Sequence, residues 1–225
     1  MRKYLSDIDI IDIANNETLQ NNVVSKLLES WGALPSNYTR CNYIESTGLE
    51  YIQTNIVPNQ DTRIIIDFEV LDVETPKAVF GARAETAVNV FGLWIESKEG
   101  NEGYTHVCPQ YGSVQYIEYH ILMNPKQRLF IDMYSTGCKV NGNISNWERS
   151  IFSTENTLTL LAINTNNMVD SRRAIGRLRS CRVYENGNLT LFLLPVINSN
   201  GEVGMYDKVE NIFYGNSGEG GFIAG

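Results

Sequence analysis

The first part of the chain alternates isoleucine with aspartate and then changes to a helical spacing of apolar residues. In "SDIDIIDI" the isoleucines alternate with Asp7, Asp9 and Asp12, apart from one change of phase, and this predicts a short strand with a bulge. An asparagine pair then offers an N-cap, and apolar residues recur every three or four positions up to Gly32, which predicts an amphipathic helix. The apolar side chains of the two elements are Ile8, Ile10, Ile11, Ile13, Leu19, Val23, Val24, Leu27, Leu28 and Trp31.

This helix leaves two interpretations open. At about 15 residues it is marginal alone in water, so its apolar stripe must pack on something. Either the stripe packs on its own domain, or strand and helix together form an anchor to another chain. An unpaired strand also invites pairing with a neighbour. We therefore divide the chain into an anchoring segment, residues 1–35, and a following domain, residues 36–225, joined at "LPS".

The rest of the pattern predicts strands and tight turns. "TRIIIDFEVLDV" alternates apolar and polar residues, and "TLTLLAIN" is nearly continuous apolar, as a strand buried on both faces would be. Asn141-Gly142 and Asn186-Gly187 predict two-residue hairpins, and "YIESTGLEYIQTNI" predicts another hairpin that turns at Gly48. About twelve short strands at regular spacing predict an all-β antiparallel sandwich.

The predicted core of this sandwich consists of the inward residues of its longest strands. They include Ile64, Ile66, Phe68, Leu160, Ala162, Leu191 and Leu193.

Composition narrows the classes of partner. The 225 residues carry a formal net charge of -8 and no run of lysine and arginine, so nucleic acid and anionic membrane surfaces are poor partners. No segment approaches the roughly 18 apolar residues of a membrane span, and aspartates interrupt the apolar start, which excludes a signal peptide. The cysteines Cys41, Cys108, Cys138 and Cys181 form no C-x-x-C pair, and we expect free thiols and no structural metal.

Several stretches resemble a known family over residues 38–225. They are "YIESTGLEYIQTNIVPNQDTRIIIDF", "FGAR", "FGLWI", "KVNG", "RSCRVYENGNLTLFLLPVIN" and "GEVGMYDKVENIFYGNSGEGGF", of which "GMYDKVENIFYGN" is the most specific. Together they look like the concanavalin A-like, laminin-G-like jelly roll found in phage and prophage structural proteins and in surface proteins of gut bacteria. Residues 1–35 lie outside this resemblance.

The resemblance implies a non-enzymatic structural protein of a phage virion, assembled in the host cytoplasm. It would decorate the capsid or belong to a head fibre or tail, and display the jelly roll for adhesion to host-surface glycans. A carbohydrate-binding module of a bacterial surface protein and a glycanase are the alternatives, because one sandwich hosts all of these functions. Residues 1–35 are then expected to bind other virion proteins or further copies of the chain.

Carboxylates offer little sign of catalysis. The strand around "DFEVLDVE" places Asp67 and Glu69 on one face, with Asp72 and Glu74 on the other, and lacks the Glu-first pattern of sandwich glycanases. We therefore expect no enzyme activity and no cofactor.

Calcium is the one ion considered, because loop carboxylates can hold it at the rim of laminin-G-like sandwiches. Asp61, Asp132 and Asp170 are the candidate ligands, and their spacing is not diagnostic.

Aromatic residues are the best binding candidates. Aromatic faces with amide neighbours suit sugar rings, which stack on them while hydroxyl groups take hydrogen bonds. The alternative is that these side chains are half-buried strand aromatics. The candidate glycan-binding residues are Trp94, Tyr104, His106, Tyr111, Tyr116 and Trp147.

Overall fold

Two β-sheets packed face to face make up the regular structure of the chain in a computed structural model. The model describes residues 34–73, 75–84, 89–97, 105–113, 121–124 and 126–225. The chain divides after Tyr38, and the unit that follows, Thr39–Gly225, is the sandwich. Every regular element in the described ranges is a strand, which confirms the all-β antiparallel sandwich of jelly-roll-like architecture. The strand and helix predicted for residues 1–33 lie outside the described residues.

The larger sheet contains eleven of the described strands. Its main path, in order of hydrogen bonding, is β11 (Asn143–Asn146), β10 (Gly137–Val140), β9 (Arg128–Tyr134), β4 (Thr62–Asp72), β15 (Ile175–Glu185), β16 (Asn188–Asn198), β17 (Val203–Asp207) and β18 (Phe213–Tyr214). Beside this path, β1 (Tyr38–Arg40) pairs with β16, and β2 (Ile44–Thr47) lies between β15 and β19 (Ile223–Ala224).

The smaller sheet contains eight of the described strands. Its main path is β14 (Met168–Val169), β13 (Asn164–Thr165), β5 (Lys77–Arg83), β6 (Val90–Glu96), β7 (Thr105–Gly112) and β8 (Ile121–Met123). β12 (Thr159–Leu160) joins β5 to β3 (Ile52–Gln53), and β13 runs parallel to β5.

The space between the sheets is filled by the residues that alternation predicts. All seven predicted core residues are at most 1% exposed, which confirms that prediction. Burying a large apolar side chain stabilises the fold by roughly 1.5–3 kcal/mol. On β4 the same alternation turns Asp67 and Glu69 to the outer face of the sheet. The register of β4 with β9 and β15 fixes this orientation.

Two of the three predicted hairpins are confirmed. Asn141 and Gly142 have φ of 48° and 87°, and Asn186 and Gly187 have φ of 50° and 78°. A type I′ turn needs positive φ at both central residues, and asparagine followed by glycine accepts this at little cost. These turns join β10 to β11 and β15 to β16.

The hairpin predicted at Gly48 is wrong. β2 pairs within the larger sheet and β3 within the smaller one, so the segment carries the chain from one sheet to the other. Gly48 does make the turn, with φ of 99°. The deciding residue is Glu50, only 2% exposed, whose carboxylate accepts the backbone N–H groups of Thr47 at 2.8 Å and Leu49 at 3.3 Å. This side-chain cap replaces the ladder that a hairpin would form.

The apolar stretch "TLTLLAIN" is buried as predicted but is not one strand. Leu161 has φ of 65°, a left-handed conformation that ends β12 before β13 begins at Asn164. The kink places β12 and β13 on β5 in opposite directions.

The closing segment supplies a second side-chain cap. Asp207 is fully buried, and its carboxylate accepts the N–H groups of Phe192 at 2.9 Å, Val209 at 3.0 Å and Glu210 at 3.2 Å. Tyr206 is buried beside it.

Candidate functional site

The outer face of the smaller sheet collects a distinct set of side chains from β6 and β7. The register pairs Trp94 with Cys108 and Glu96 with His106, and paired residues on adjacent strands point to the same side of a sheet. Their neighbours Leu93, Ile95 and Val107 point the other way, into the core between the sheets. The sequence therefore sends the aromatic and polar members of these strands outward together.

Trp94 is the centre of this face. Its side chain is only 8% exposed, and its indole Nε1–H donates a hydrogen bond of 3.1 Å to Oε1 of Gln110. Around the ring lies a small apolar cluster, separate from the main core, formed with Ala78, Val90, Cys108 and Ile163. The ring is therefore held in one orientation by an amide and an apolar surround.

Ile163 reaches this cluster because two glycines make room for it. A Cβ atom on Gly81 would lie 2.7 Å from the Ile163 side chain, closer than real contacts allow, and one on Gly92 would lie 3.1 Å from the carbonyl oxygen of Phe80. Gly81 and Gly92 are cross-strand partners on β5 and β6. The glycines of "FGAR" and "FGLWI" thus leave the space that the Ile163 side chain fills beside Trp94.

Two guanidinium groups lie over the Trp94 ring. The Cζ atom of Arg172 is 4.6 Å from the ring centroid, and that of Arg83 is 5.8 Å away. Both distances fit cation–π attraction, which is worth roughly 0.5–1 kcal/mol at an exposed site. The site therefore joins β5 and β6 to the segment that follows β14.

Asp170 ties the two arginines together. Its carboxylate accepts two hydrogen bonds from Arg172, from Nε at 3.1 Å and from Nη2 at 2.7 Å. Nη2 of Arg83 lies 3.7 Å from the same carboxylate, and Nε of Arg83 donates to Oγ1 of Thr165 at 2.8 Å. The hydrogen bond from Arg172 is the main factor that lowers the pKa of Asp170, although burial opposes it.

The structure brings two of the six predicted glycan residues to this face and separates two others from it. Trp94 and His106 lie here, and His106 is buried between Glu96 of β6 and Leu122 of β8 in the register. Tyr104 and Tyr116 lie outside the described residues.

Tyr111 and Trp147 are core residues, which removes them from the glycan candidates. Tyr111 is fully buried, and its hydroxyl donates to the carbonyl oxygen of Thr62 at 2.7 Å. Trp147 is 6% exposed, and its Nε1–H donates to the carbonyl oxygen of Ser135 at 3.2 Å. The two rings are 6.2 Å apart, and Phe152 packs edge-on against Tyr111 at 5.2 Å. Both rings belong to the main core between the sheets, whereas Trp94 belongs to the separate cluster on the outer face of the smaller sheet.

The outer face of the larger sheet is organised differently, as a lattice of ion pairs. The register aligns Glu45, Arg177, Glu69 and Arg128 in one row across β2, β15, β4 and β9. Arg177 contacts both glutamates, at 2.7 Å and 3.3 Å. Asp67 accepts Nε and Nη2 of Arg128 at 2.7 Å and 2.6 Å. Each of these carboxylates is therefore engaged by an arginine.

This lattice contains the carboxylate pair considered for glycan cleavage. Burial alone would raise the pKa of Glu69, but the hydrogen bonds and charges of Arg179 and Arg177 outweigh it and hold the pKa below its usual range. A general acid needs the opposite shift, so that it still carries a proton near neutral pH. Glu69 is thus placed as a structural anion, and Asp67 is held by its two hydrogen bonds from Arg128. Glu74 lies outside the described residues.

The three candidate calcium ligands do not converge. Asp61 pairs with Arg149, Asp132 with Arg63, and Asp170 with Arg172. Within the described ranges, no group of three or more His, Cys, Asp or Glu side chains is arranged to hold a metal ion.

The remaining general features concern the thiols and the membrane. All four cysteines are free thiols, and burial raises the pKa of Cys138 and Cys181. No helix among the residues that the structure describes has the length and apolar character needed to cross a bilayer.

Sequence reasoning missed the arginines and the amide of this site. Gln110 lies two residues from Cys108 on β7, so alternation places the two side chains on the same face of the sheet. Arg172 gave no such signal, because its contact with Trp94 depends on the return of β13 and β14 to the edge of the smaller sheet.

Two comparisons with known proteins returned nothing. The chain matches no protein-family model, and no curated protein is significantly similar to it.

Proposed function

We propose that the sandwich is a non-catalytic glycan-binding module and that its site is the outer face of the smaller sheet around Trp94. The observation that carries this proposal is the Trp94 indole, fixed by Gln110 and bordered by two guanidinium groups and a carboxylate. An aromatic plane surrounded by fixed hydrogen-bonding groups is the usual chemistry of a sugar site. The ion-paired state of Asp67 and Glu69 supports binding without cleavage.

We further propose that this module is carried on a phage particle. The support is the resemblance of "GMYDKVENIFYGN" and the related stretches to phage structural jelly rolls. The acidic composition fits a surface that avoids nucleic acid. On this proposal residues 1–35 bind other virion proteins or further copies of the chain. Deletion of these residues would then leave a folded sandwich that no longer assembles, which light scattering measures.

The experiment that tests glycan binding is an array of host-surface polysaccharides, probed with full-length protein clustered on a multivalent carrier. A single shallow site is expected to bind with a constant near millimolar, about 4 kcal/mol, so clustering is needed for detection. A Trp94→Phe protein keeps an apolar ring but loses the indole N–H and part of the stacking surface, and should lose the signal. A Trp147→Phe protein, changed in the core, should keep it. An array that stays blank for the wild type, or signal that survives in Trp94→Phe, would overturn the proposal.

A further inference from the structure

We infer that Asn186 is a site of spontaneous deamidation and that the fold protects the same dipeptide at Asn141. The modification converts an asparagine into aspartate or isoaspartate and needs only water as its co-reactant. The inference is independent of the proposed glycan-binding function, because both asparagines lie in hairpins of the larger sheet and Trp94 lies on the smaller one.

Deamidation of an asparagine uses its own backbone. The lone pair of the next residue's backbone nitrogen attacks the side-chain carbon Cγ, a bond forms between the two atoms, and the Cγ–Nδ2 bond breaks. The amide leaves as ammonia with the proton of the backbone N–H, and water then opens either carbonyl group of the cyclic imide. Such an attack requires the two reacting atoms to meet in a productive geometry. Glycine is the most permissive next residue, because it has no side chain and restricts the backbone least.

Two hairpins of the larger sheet form a matched pair for this reaction. Residues 141–143 and 186–188 both have the sequence Asn-Gly-Asn. Their turns have nearly the same backbone, with φ of 48° and 87° in the first and 50° and 78° in the second. A Cβ atom added to Gly142 or Gly187 would meet nothing within 4 Å, so both turns are open to solvent. A difference in reactivity must therefore come from the contacts of the asparagine side chains.

The side chain of Asn141 is held at both of its polar atoms. Its Oδ1 accepts the backbone N–H of Phe130 at 2.7 Å, and its Nδ2 donates to the carbonyl oxygen of Arg128 at 2.9 Å. Both partners lie on β9, so the amide is fixed against the strand beside its own hairpin. Cγ of Asn141 can reach the nitrogen of Gly142 only after both hydrogen bonds have opened.

The side chain of Asn186 is not held in this way. Asn186 is exposed, and its side-chain amide makes no hydrogen bond to any residue that the structure describes. The contact with Asn188, at 3.5 Å, involves the backbone carbonyl oxygen of Asn186. The N–H of Gly187 also has no backbone acceptor within the described ranges. The amide can therefore rotate toward the attacking nitrogen without breaking a described contact.

A third Asn-Gly pair provides an intermediate case. Asn200 is exposed, but the N–H of Gly201 donates to the carbonyl oxygen of Asn198 at 2.9 Å. The attacking nitrogen must release this bond before it can react. Of the described hydrogen bonds, two must open at Asn141, one at Asn200 and none at Asn186. We therefore expect Asn186 to react first and Asn141 last.

The test is a timed incubation of full-length protein in mildly alkaline buffer, below its unfolding temperature. Peptide mass spectrometry measures the aspartate and isoaspartate formed at each Asn-Gly pair. Asn186 should react about tenfold faster than Asn141 or more, since two hydrogen bonds must open at Asn141, and Asn200 should fall between them. The same incubation in urea is the control. With the fold removed, Asn141 and Asn186 should react at equal rates, because the same two residues follow each of them.

Three variants identify the acid that forms. Asn186→Asp carries the charge of the product and marks its position on an isoelectric focusing gel. Asn186→Gln keeps an amide but would have to close a larger ring, so the new band should form much more slowly. Asn200→Gln is the matched control at another exposed turn and should leave most of the band.

Each outcome bears on the inference directly. Reaction at Asn186 before Asn141, with the difference lost in urea, supports it. Equal rates at the two positions in folded protein, or a band that forms as fast in Asn186→Gln, would overturn it. Folded protein that reacts at neither position, although it reacts in urea, would also overturn it, because the hairpin backbone would then give the protection.

Discussion

The outer faces of the two sheets carry the same local motif in different settings. On the larger sheet Arg128 forms a two-bond pair with Asp67 and lies 4.8 Å from the Phe130 ring. On the smaller sheet Arg172 forms a two-bond pair with Asp170 and lies 4.6 Å from the Trp94 ring. The two arginines are about equally exposed, at 42% and 48%. The chemistry of the pair therefore does not distinguish the faces.

What differs is the origin of each partner. Asp67 lies on β4 and Arg128 on β9, so their pair joins adjacent strands that meet far apart in the sequence. Asp170 and Arg172 belong to one short loop, so their pair is local in the sequence. The two rings differ in burial, because the Phe130 side chain is half-buried and the Trp94 side chain is buried. The comparison teaches that the larger sheet uses its arginine to join two strands that are distant in the sequence, while the arginine over the smaller sheet pairs with a carboxylate of its own loop.

The largest expected effect is the loss of stability when the Trp94 ring or the Phe130 ring is removed. Trp94→Ala should lower the free energy of unfolding by about 3 kcal/mol, because it removes a buried indole and leaves Gln110 without its donor. Phe130→Ala, at a half-buried ring, should lower it by only about 1 kcal/mol. Urea unfolding followed by circular dichroism measures both. Equal losses would show that the two rings have the same structural role.

A smaller difference is expected for the arginines. Arg128→Ala should cost about 2 kcal/mol of unfolding free energy, because Asp67 is left with its charge largely buried and its cross-strand partner removed. Arg172→Ala should cost about 0.5 kcal/mol or less, as for other exposed local pairs. Urea unfolding followed by circular dichroism measures both losses of unfolding free energy. A loss at Arg172 as large as that at Arg128 would show that the local pair stabilises the fold as much as the pair between strands.

The smallest expected effect is a change in access to Trp94 with pH. The pKa of Asp170 is lowered from 3.8, so the ionised form and its pairing with Arg172 persist above that value and are lost as the pH falls through the lowered pKa. Acrylamide quenching of Trp94, taken as the difference between wild-type and Trp94→Phe protein, should be flat near neutral pH and rise in acid before the fold is lost. Asp170→Asn should show the higher quenching already at neutral pH. Identical quenching of Trp94 in wild-type and Asp170→Asn protein at neutral pH would show that the pair of Asp170 and Arg172 does not cover the ring.

Much of the fold could be predicted from the sequence because alternation reports burial directly. Ile64, Ile66 and Phe68 alternate along β4, and their inward direction follows from the strand period of two. The turns at Asn141-Gly142 and Asn186-Gly187 were equally accessible, since few residue pairs tolerate two positive φ angles.

The segment around Gly48 shows where such reasoning stops. A turn signal says that the chain reverses locally, but not whether the next strand pairs with the previous one. That choice depends on Glu50, a charged residue whose burial only the three-dimensional caps of Thr47 and Leu49 explain.

The candidate site could be predicted only in part. The outward direction of Trp94 follows from alternation on β6. The burial of Tyr111 and Trp147 in the core does not follow from alternation, because the strand period of two assigns a residue to a face without saying which face is the core. The arginines are beyond local reasoning, since Arg172 meets Trp94 only when β13 and β14 return to the sheet edge.

The most direct test of the account is an NMR titration that follows the tryptophan indole N–H signals of full-length protein. The Trp94 signal, assigned by its disappearance in Trp94→Phe protein, should shift progressively when a soluble fragment of the polysaccharide that binds best on the array is added. The Trp147 signal, from the core, should not move. A Trp94 signal that is insensitive to every fragment, or that shifts no more than that of Trp147, would contradict the central claim that the outer face of the smaller sheet is the binding site.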